Sequence, residues 1–311
     1  MAVVNSQSLT AVLPEQFAGK IIEKAKSTST VAKLSEAEPM LFGNANFVKF
    51  NDTVKAEFVE ESGGKSSTTA AWEKVTAVPH KSVVTIRVTD EFMWTDEARQ
   101  AQIIDRDVVP AMTRALARAL DLGLYHRINP LTGNAVSTWT NYLTATENVV
   151  TAGKAEADAD IRAAAGLVIG NDAAVNGLAL DPKQAWALGE LQGKLANGNP
   201  SGVQRYPAIG LGTDIESFLG LNTAVGNTVS GMPEAKDTGV RAIVGDFRDG
   251  IRWGIQKELP LELIPYGDPD GQGDLKRKNQ VALRIELVYA WYVLTDRFAI
   301  VKAAASESTG R

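Results

Sequence analysis

The sequence predicts an α+β fold made of an N-terminal arm, a long β-hairpin, one long helix and a mixed section closed by C-terminal strands. Apolar and polar residues alternate over 250–264 and 280–301, which is typical of strands that bury one face. A similar alternation over 44–92 indicates the hairpin, and apolar residues spaced four apart over 95–128 indicate the helix. Because a strand so late in the chain needs earlier partners, 280–301 is predicted to close the fold.

Residues 1–43 are predicted to form an arm. Apolar residues recur at helical spacing over 8–26, where Pro14 stands early enough to be tolerated near a first turn. A short amphipathic helix cannot bury its own apolar face. The arm is therefore expected to pack on its own body or on another copy of the chain, with a frayed terminus as the alternative.

The hairpin of residues 44–92 has a tip without a core of its own. Its outgoing strand is predicted over 47–60 and its return strand over 75–89. The tip, 61–69, holds only small, polar and charged residues. Such a tip lies either in solvent or on a neighbouring copy.

The helix predicted over 95–128 is unusually long. Thr95 is its predicted N-cap, because two acidic residues follow in the first turn, where the helix macrodipole favours anions. The helix would be about 50 Å long. Pro110 is expected to kink it, and Asn129 and Pro130 are expected to end it.

Residues 131–242 are predicted to form a separate section of helices and strands, without an internal repeat. A stretch rich in Gly, Asn and Pro, 193–212, is predicted to be loop. The predicted elements are helices over 155–168 and 182–191 and strands over 177–181, 219–229 and 241–244.

The composition excludes several functional classes. The 311 residues include no Cys, which excludes disulfides, zinc–thiolate sites and Cys nucleophiles. A formal net charge of −5 argues against a protein that reads nucleic-acid sequence, because such proteins present a basic face to phosphate. No apolar run approaches the roughly 20 residues of a membrane span, and no secretory signal is found. We therefore expect a protein made and used in a reducing cytoplasm, without a membrane partner.

Several short pieces near the C-terminus carry a family resemblance. They are Gly245-Asp246-Phe247, Gly267-Asp268-Pro269, Asp274-Leu275, Asn279 and the segment from Val281 to Glu286. In order and spacing, and followed by a final apolar strand, they resemble the C-terminal part of tailed-bacteriophage major capsid proteins with the Hong Kong 97 fold. The arm, hairpin, long helix, mixed section and closing strands also occur in the order found in that family.

The resemblance implies a division of the chain into named parts. In that family the extension loop reaches across to the next protomer, and loops of the axial domain meet at the centres of hexamers and pentamers. The implied parts are an N-terminal arm (1–43), an extension-loop β-hairpin (44–92), the spine helix of a peripheral domain (93–130), an α/β axial domain (131–243) and return strands that complete both domains (244–311).

The resemblance implies a structural role, not an enzymatic one. The chain would be a homo-oligomeric major capsid protein whose hexamers and pentamers build an icosahedral phage head around double-stranded DNA, without a cofactor. It would reside in the virion capsid after assembly in the host bacterial cytoplasm. A portal and decoration proteins are expected partners. Since no long segment precedes the arm, a separate scaffold or none is expected, with a removed propeptide as the alternative. Mild acidity suits a wall that encloses DNA without gripping it.

Two other functions stay open. An encapsulin-like nanocompartment shell shares the fold and would enclose cargo enzymes. A soluble α/β enzyme would need a convergent polar site, but the sequence has no GxSxG elbow, and its two histidines, His80 and His126, lie in the hairpin and near the end of the long helix. Electron microscopy of the purified protein would separate a shell from a small oligomer.

The resemblance also implies a covalent site. In some relatives an extension-loop lysine forms an isopeptide bond with an asparagine of another subunit, assisted by a glutamate. Asn279 and Glu286 occupy matching positions, and Lys65 at the hairpin tip is the nearest lysine. The reaction would need a neutral lysine and a carboxylate that takes its proton. The alternative is a turn asparagine and a strand glutamate in a salt bridge.

An acidic loop partly matches a calcium site. Asp268, Asp270 and Asp274 supply oxygen ligands at the spacing of a calcium loop, with Gly273 at its sixth position. Asn279 stands at the twelfth position, where it cannot supply the bidentate carboxylate of such loops. The alternative is an ordinary turn rich in Asp and Gly.

Overall fold

The computed structural model describes residues 19–25, 28–51, 56–59, 61, 63–67, 71–153, 156–194, 199–209 and 215–304. Residues 19–25 are helical. The further α-helices are α1 (Thr30–Leu34), α2 (Glu97–Ile103), α3 (Val109–His126), α4 (Ala157–Gly170) and α5 (Pro182–Glu190). None of the helices in these ranges combines the length and apolarity needed to cross a membrane.

The strands are distributed over two large sheets and one small one. They are β1 (Ala45–Asn51), β2 (Ala71–Thr89), β3 (Val149–Thr151), β4 (Gly177–Leu180), β5 (Gln192–Lys194), β6 (Pro200–Gln204), β7 (Ser217–Phe218), β8 (Leu221–Val225), β9 (Val240–Gly245), β10 (Ile251–Glu258), β11 (Glu262–Ile264), β12 (Gln280–Val293) and β13 (Phe298–Lys302). The five-stranded sheet has the order β1-β2-β12-β10, with β11 also on β12. The six-stranded sheet has the order β3-β13-β9-β4-β8-β7, and β5 pairs with β6.

The predicted hairpin is confirmed, because β1 pairs antiparallel with residues 71–77 of β2. The remainder of β2, 78–89, pairs with β12. With 19 residues, β2 is roughly 60 Å long at the rise of an extended strand. The predicted outgoing strand is too long, since residues 56–59 have no regular structure. The rest of that prediction and part of the tip, residues 52–55, 60, 62 and 68–69, lie outside the described ranges.

The closing segment predicted over 280–301 is two strands in different sheets, so its prediction as one element was wrong. β12 alternates as predicted and buries one row of side chains, Val281, Leu283, Ile285 and Leu287. A 3-10 turn, Thr295–Arg297, then leads to β13 in the six-stranded sheet. The first four residues of β13 are all buried. A strand buried on both faces carries no alternation, so the boundary between β12 and β13 left no mark in the pattern.

Two other predicted elements need correction. The segment 250–264 divides into β10 and β11 on either side of Pro260, which has no N–H to donate to a sheet. The stretch 193–212, predicted as loop, contains strand residues of the β5–β6 hairpin. α4, β4 and α5 lie within about two residues of their predicted bounds, and Pro182 occupies the first turn of α5 as predicted.

The long helix is interrupted just before Pro110. α2 is followed by a π-helical turn, Ile104–Val108, and α3 begins after it. The N–H of Val109 donates to the carbonyl of Ile104, five residues earlier. Pro110 has no N–H, and its ring would clash with the carbonyl four residues earlier. The irregularity expected at Pro110 therefore takes the form of a wider helical turn.

Both ends of the helical stretch differ slightly from the prediction. The N-cap is Asp96, whose carboxylate accepts the N–H of Arg99 at 2.9 Å. Thr95 was predicted for this role, but its hydroxyl donates to a carbonyl of the preceding turn at 2.8 Å. α3 ends at His126, and Arg127 closes it in a left-handed conformation with φ 53°.

The described part of the chain has two apolar cores, and the first contacts both large sheets, since it also includes Ile243 of β9 and Ile300 of β13. The first core includes Met112, Leu116 and Leu120 of α3 together with the buried row of β12. The hydroxyl of Tyr289 on β12 donates to the carbonyl of Leu116 at 3.2 Å, which ties the helix to the sheet. The second core lies where α4 and α5 pack on the six-stranded sheet.

The described part of the arm packs on its own body. Ile21 and Ile22 are buried in the first core. The hydroxyl of Ser29 accepts the N–H of Ala32 at 3.1 Å and caps α1. Of the two expectations for the arm, packing on its own body is confirmed for these residues, whereas residues 1–18 lie outside the described ranges.

Candidate functional site

The hairpin extends beyond the part of β2 that pairs with β12. We call this extension, which consists of β1 and residues 71–77 of β2, the ribbon. Its two faces differ. Phe47 pairs with Val75 and Val48 pairs with Lys74, so the two pairs face opposite sides. Val75 is 7% exposed, whereas Val48 is 64% exposed. Because a two-stranded ribbon is marginally stable by itself, its outward face is a candidate contact surface.

The loop at the end of the ribbon also exposes apolar side chains. The side chain of Phe58 is completely exposed, and that of Val59 is partly exposed. The carboxylate of Glu57 accepts the N–H of Ser66 at 3.1 Å, which joins the two sides of the loop. Hydrogen bonds from the Ser66 side chain and backbone lower the pKa of Glu57. The exposed aromatic ring thus stands on a loop with internal hydrogen bonds.

A groove of about 550 Å³ lies at the root of the ribbon, between β2, α3 and the loop after α3. His80 lies between Trp139 and Trp291, with ring centroids 4.1 Å from each. Burial lowers the pKa of His80 to about 4. Burial also lowers the pKa of His126 to about 4, and its Nε2 lies 2.9 Å from the carbonyl oxygen of Val229. Both histidines are therefore neutral packing residues at neutral pH.

The loop with the partial calcium pattern is organised around an arginine. Arg87 donates from Nε to the Asp270 carboxylate at 2.8 Å and from Nη2 to Asp268 at 3.2 Å. The hydrogen bond from Arg87 lowers the pKa of Asp270 to about 2. Asp274 instead accepts the N–H of Arg277 at 3.0 Å. Among the residues that the structure describes, no group of three or more acidic, His or Cys side chains could hold a metal ion.

The three residues of the implied cross-link stand in different settings. Asn279 precedes β12 with a left-handed φ of 50°. Glu286 follows seven residues later, roughly 23 Å along an extended strand. Its carboxylate lies 2.5 Å from the Nζ of Lys81. Lys65 is exposed in the loop of the ribbon.

Arg87 and Lys81 are functional candidates that sequence reasoning missed. Each lies in β2, and its acidic partner lies much later in the chain, 181 residues later for Arg87 and Asp268. The Lys81 contact depends on the register between β2 and β12, and the Arg87 contact depends also on the loop that leads into β12. Nothing in the sequence states that register, so only the alternation of β2 could have indicated which face each basic residue occupies.

The arm reaches the ribbon along the edge of the five-stranded sheet. The N–H of Glu38 donates to the carbonyl of Trp253 at 2.8 Å, and its carboxylate pairs with Arg252. The side-chain amide of Gln256 donates to the carbonyl of Gly43 at 2.7 Å. These contacts hold the last residues of the arm, 38–43, against β10, just before β1 begins. They fix the point from which the ribbon projects and cover an edge strand.

An ion network holds the β5–β6 hairpin to the start of α4. Arg205 donates from Nη1 to Glu156 at 2.6 Å and to Asp158 at 3.1 Å. The hydroxyl of Tyr206 also donates to Asp158, at 2.9 Å. Hydrogen bonds from Arg205 and then Lys194 lower the pKa of Glu156. This hairpin belongs to neither of the two large sheets.

The chain matches the sequence profile of the phage capsid family over residues 10–302. The match spans the ribbon, the long helical stretch and both large sheets. A comparison with curated proteins gives no match.

Solved structures agree with the family match. A chain from Mycobacterium phage Ogopogo is 40% identical and aligns over 89% of this chain and 92% of its own length, with a TM-score of 0.77. A chain from Gordonia phage Cozz is 27% identical over 89% of this chain and 87% of its own, with a TM-score of 0.75. The capsid of a native GTA particle, at 16% identity and a TM-score of 0.57 over 89% of this chain and 91% of its own, shares the fold. The chain therefore belongs to the phage capsid family, and it is a structural major capsid protein with the Hong Kong 97 fold.

Proposed function

We propose that the chain forms the hexamers and pentamers of an icosahedral phage head that encloses double-stranded DNA. Shell building itself follows from the family, and the capsomers and the contents are the added claims. The observation that carries the proposal is the ribbon, whose outward face exposes Val48 and whose loop exposes Phe58. Such apolar surface is covered when copies of the chain surround one another.

In this proposal the parts of the chain have the roles that the family resemblance implies. The ribbon is the outer part of the extension loop and reaches a neighbouring copy. The ion network around Arg205 orients the β5–β6 hairpin toward the centre of a capsomer. The proposed parts are the arm (1–43), the extension loop (44–92), the spine helix (93–130), the axial domain (131–243) and the return strands (244–311).

The proposed wall acts without catalysis and without a cofactor. The neutral state of both histidines supports this, as does the pairing of Asp268 and Asp270 with Arg87. The pairing of Glu286 with Lys81 supports a salt bridge in place of a covalent link. Further proposed partners are a portal, a scaffold and decoration proteins. The head would be assembled in the host bacterial cytoplasm, with DNA enclosed and not specifically bound.

The test is electron microscopy of two matched variants. Val48→Asp places a charge on the outward face of the ribbon, and Ile169→Asp places one on α4 at almost equal exposure, 63% against 64%. We expect closed particles from the unaltered chain and from Ile169→Asp. From Val48→Asp we expect subunits that fold but do not assemble into closed particles. Normal particles from Val48→Asp would contradict the role of the ribbon. Nuclease-protected double-stranded DNA in particles from infected cells would favour a phage head over a cargo compartment.

A further inference from the structure

The carboxylate of Asp121 is buried in the middle of α3, with only 2% of the residue exposed. Five hydrogen bonds from described residues reach its two oxygens. They come from the hydroxyls of Ser29, Thr30 and Thr228 and from the N–H groups of Thr30 and Val31. We call Asp121 and these four donor residues, Ser29, Thr30, Val31 and Thr228, the Asp121 cluster.

The Asp121 cluster joins three elements that are far apart in the sequence. Ser29, Thr30 and Val31 open α1 of the arm, Asp121 belongs to α3, and Thr228 lies in the turn after β8 of the six-stranded sheet. The backbone approaches closely at this point, since a Cβ on Gly226 would lie 2.6 Å from Cγ2 of Thr30. The arm is thus held where α3 contacts the turn after β8 of the six-stranded sheet.

In the part of the chain that the structure describes, no Lys or Arg forms a salt bridge with Asp121, and each hydrogen bond to its carboxylate comes from a hydroxyl or a backbone amide. Burial of a carboxylate without a cation is unfavourable, and hydrogen bonds to the charged form offset only part of that loss. Burial accordingly raises the pKa of Asp121, and the hydrogen bonds from Ser29, Thr30, Thr228 and Val31 oppose the rise.

The other groups around Asp121 do not titrate near neutral pH. Tyr125, one turn along α3, has its pKa raised by burial, and its hydroxyl oxygen lies 3.1 Å from that of Thr30. Tyr289 of β12 also has its pKa raised by burial, and burial lowers the pKa of His126, which contacts the turn after β8, to about 4. α1 and the turn after β8 present hydroxyls and backbone amides to the carboxylate. The hydroxyls can rotate so that one of them accepts a hydrogen bond from a protonated Asp121, so its neutral form also finds partners.

We propose that the protonation of this one carboxyl group controls how firmly the arm is docked. The arm is held most firmly when Asp121 is neutral, and it is loosened when the buried group carries its charge. In the undocked state the carboxyl group meets water and has its ordinary acidity, so the docked state binds the proton more tightly. By linkage, docking is strongest in acid and weakens as the pH rises above the ordinary range of an aspartate. This property belongs to the single chain and does not depend on the proposed capsomers.

The test is hydrogen exchange of the full-length chain, read by mass spectrometry and corrected for the intrinsic exchange rate at each pH. Between about pH 4 and about pH 8, we expect the protection of residues 19–35 from hydrogen exchange to fall. The fall should be about tenfold for each pH unit by which the pKa of Asp121 in the docked state exceeds its pKa in the undocked state. β12 should show no such fall and serves as the internal reference. Arm protection that does not change with pH would overturn the proposal.

Three variants separate titration of Asp121 from loss of structure. Asp121→Asn is neutral at every pH, so the arm should lose its pH dependence even if its overall protection drops. Thr228→Val removes one donor to the charged form, so the fall with pH should become larger. Thr223→Val is the matched control, because its buried hydroxyl donates to Leu221 and not to the cluster. An unchanged pH dependence in Asp121→Asn would assign the effect to another group and overturn the proposal.

Discussion

The indole N–H of Trp253 donates to the hydroxyl of Ser35, 2.9 Å away, and so joins β10 to the arm just after α1. The carbonyl of the same tryptophan accepts the N–H of Glu38 at 2.8 Å. One buried residue therefore fixes the arm through its side chain and its backbone together. This contact lies between the Asp121 cluster and the start of the ribbon, so these two attachments of the arm act on the path that leads to β1.

Removing the indole donor should weaken that attachment. Trp253→Phe keeps an aromatic ring but loses the N–H and some buried volume, and we expect the free energy of unfolding to fall by about 1–3 kcal/mol. Denaturant unfolding of unassembled subunits measures this change. Trp186→Phe, on the half-exposed Trp186 of α5, is the control and should change stability by less than about 0.5 kcal/mol. Equal losses in both variants would contradict a specific role for Trp253.

A methyl group at Gly254 should push the arm away from β10. A Cβ at this position would lie 2.1 Å from the carbonyl oxygen of Glu38, so the backbone of one segment must move. We expect Gly254→Ala to destabilise the chain by about 1–3 kcal/mol and to speed proteolysis near residue 38. Gly166→Ala, in α4, meets no atom within 4 Å apart from the neighbouring backbone of its own helix, and it should stabilise the chain by about 0.5–1 kcal/mol. Slower cleavage of the arm in Gly254→Ala would show that this contact is not what holds it.

The pair of Arg87 and Asp270 should stabilise the chain only above acid pH. The hydrogen bond from Arg87 lowers the pKa of Asp270 from 3.8 to about 2. A lowered folded-state pKa contributes stability that is present above the ordinary value and is lost as the pH falls through the folded one. We expect Arg87→Ala to lose stability at neutral pH and to match the unaltered chain near pH 2. A difference that persists at the acid end, measured by unfolding across this window, would argue for packing and not charge.

Calcium should leave the acidic loop unchanged. Asp268 and Asp270 already bind a guanidinium, and Asp274 accepts a backbone N–H. We therefore expect the same melting temperature with millimolar calcium and with a chelator. A melting temperature that climbs steadily with added calcium, as mass action requires for a ligand of the folded state, would revive the calcium site.

Particles boiled in SDS should run as a single band of 33.3 kDa. The salt bridge between Glu286 and Lys81 leaves the glutamate without the role of proton acceptor that the cross-link requires. A ladder of heavier bands that disappears in Lys65→Arg and in Glu286→Gln would instead establish an isopeptide bond between Lys65 and Asn279 of a neighbouring copy. In that reaction the lysine nitrogen replaces the amide nitrogen of the asparagine, which leaves as ammonia.

The sequence predicted the helices and strands that bury one face and expose the other. Val281 to Leu287 alternate because one face of β12 covers the first core, and α3 repeats its leucines for the same reason. β13 was predicted as part of β12 because both of its faces are buried and its sequence therefore shows no alternation. Pro110 predicts that the helix is irregular at that position, but the sequence does not indicate whether the irregularity is a kink or a π-helical turn.

The polar contacts were much harder to predict. In the sequence, Asp121 looks like an ordinary polar residue beside the apolar face of a helix. The residues that donate hydrogen bonds to it lie 90 or more positions away, on both sides of it in the chain. The same holds for Lys81, which meets Glu286 only through the register of two strands. Apolar patterns repeat along one element, whereas each of these contacts needs the relative position of two or three elements.

β2 is continuous from the ribbon into the five-stranded sheet, and this has a mechanical consequence. Its residues pair with β12 in an unbroken register from Val78 opposite Trp291 to Thr89 opposite Gln280. A pull on the ribbon acts along the strand axis, so the whole ladder resists in shear and its bonds must rupture together. We expect tension between neighbouring copies to be spread over that ladder, so that a wall stretched by its contents would yield at the contacts between subunits before any subunit is torn open.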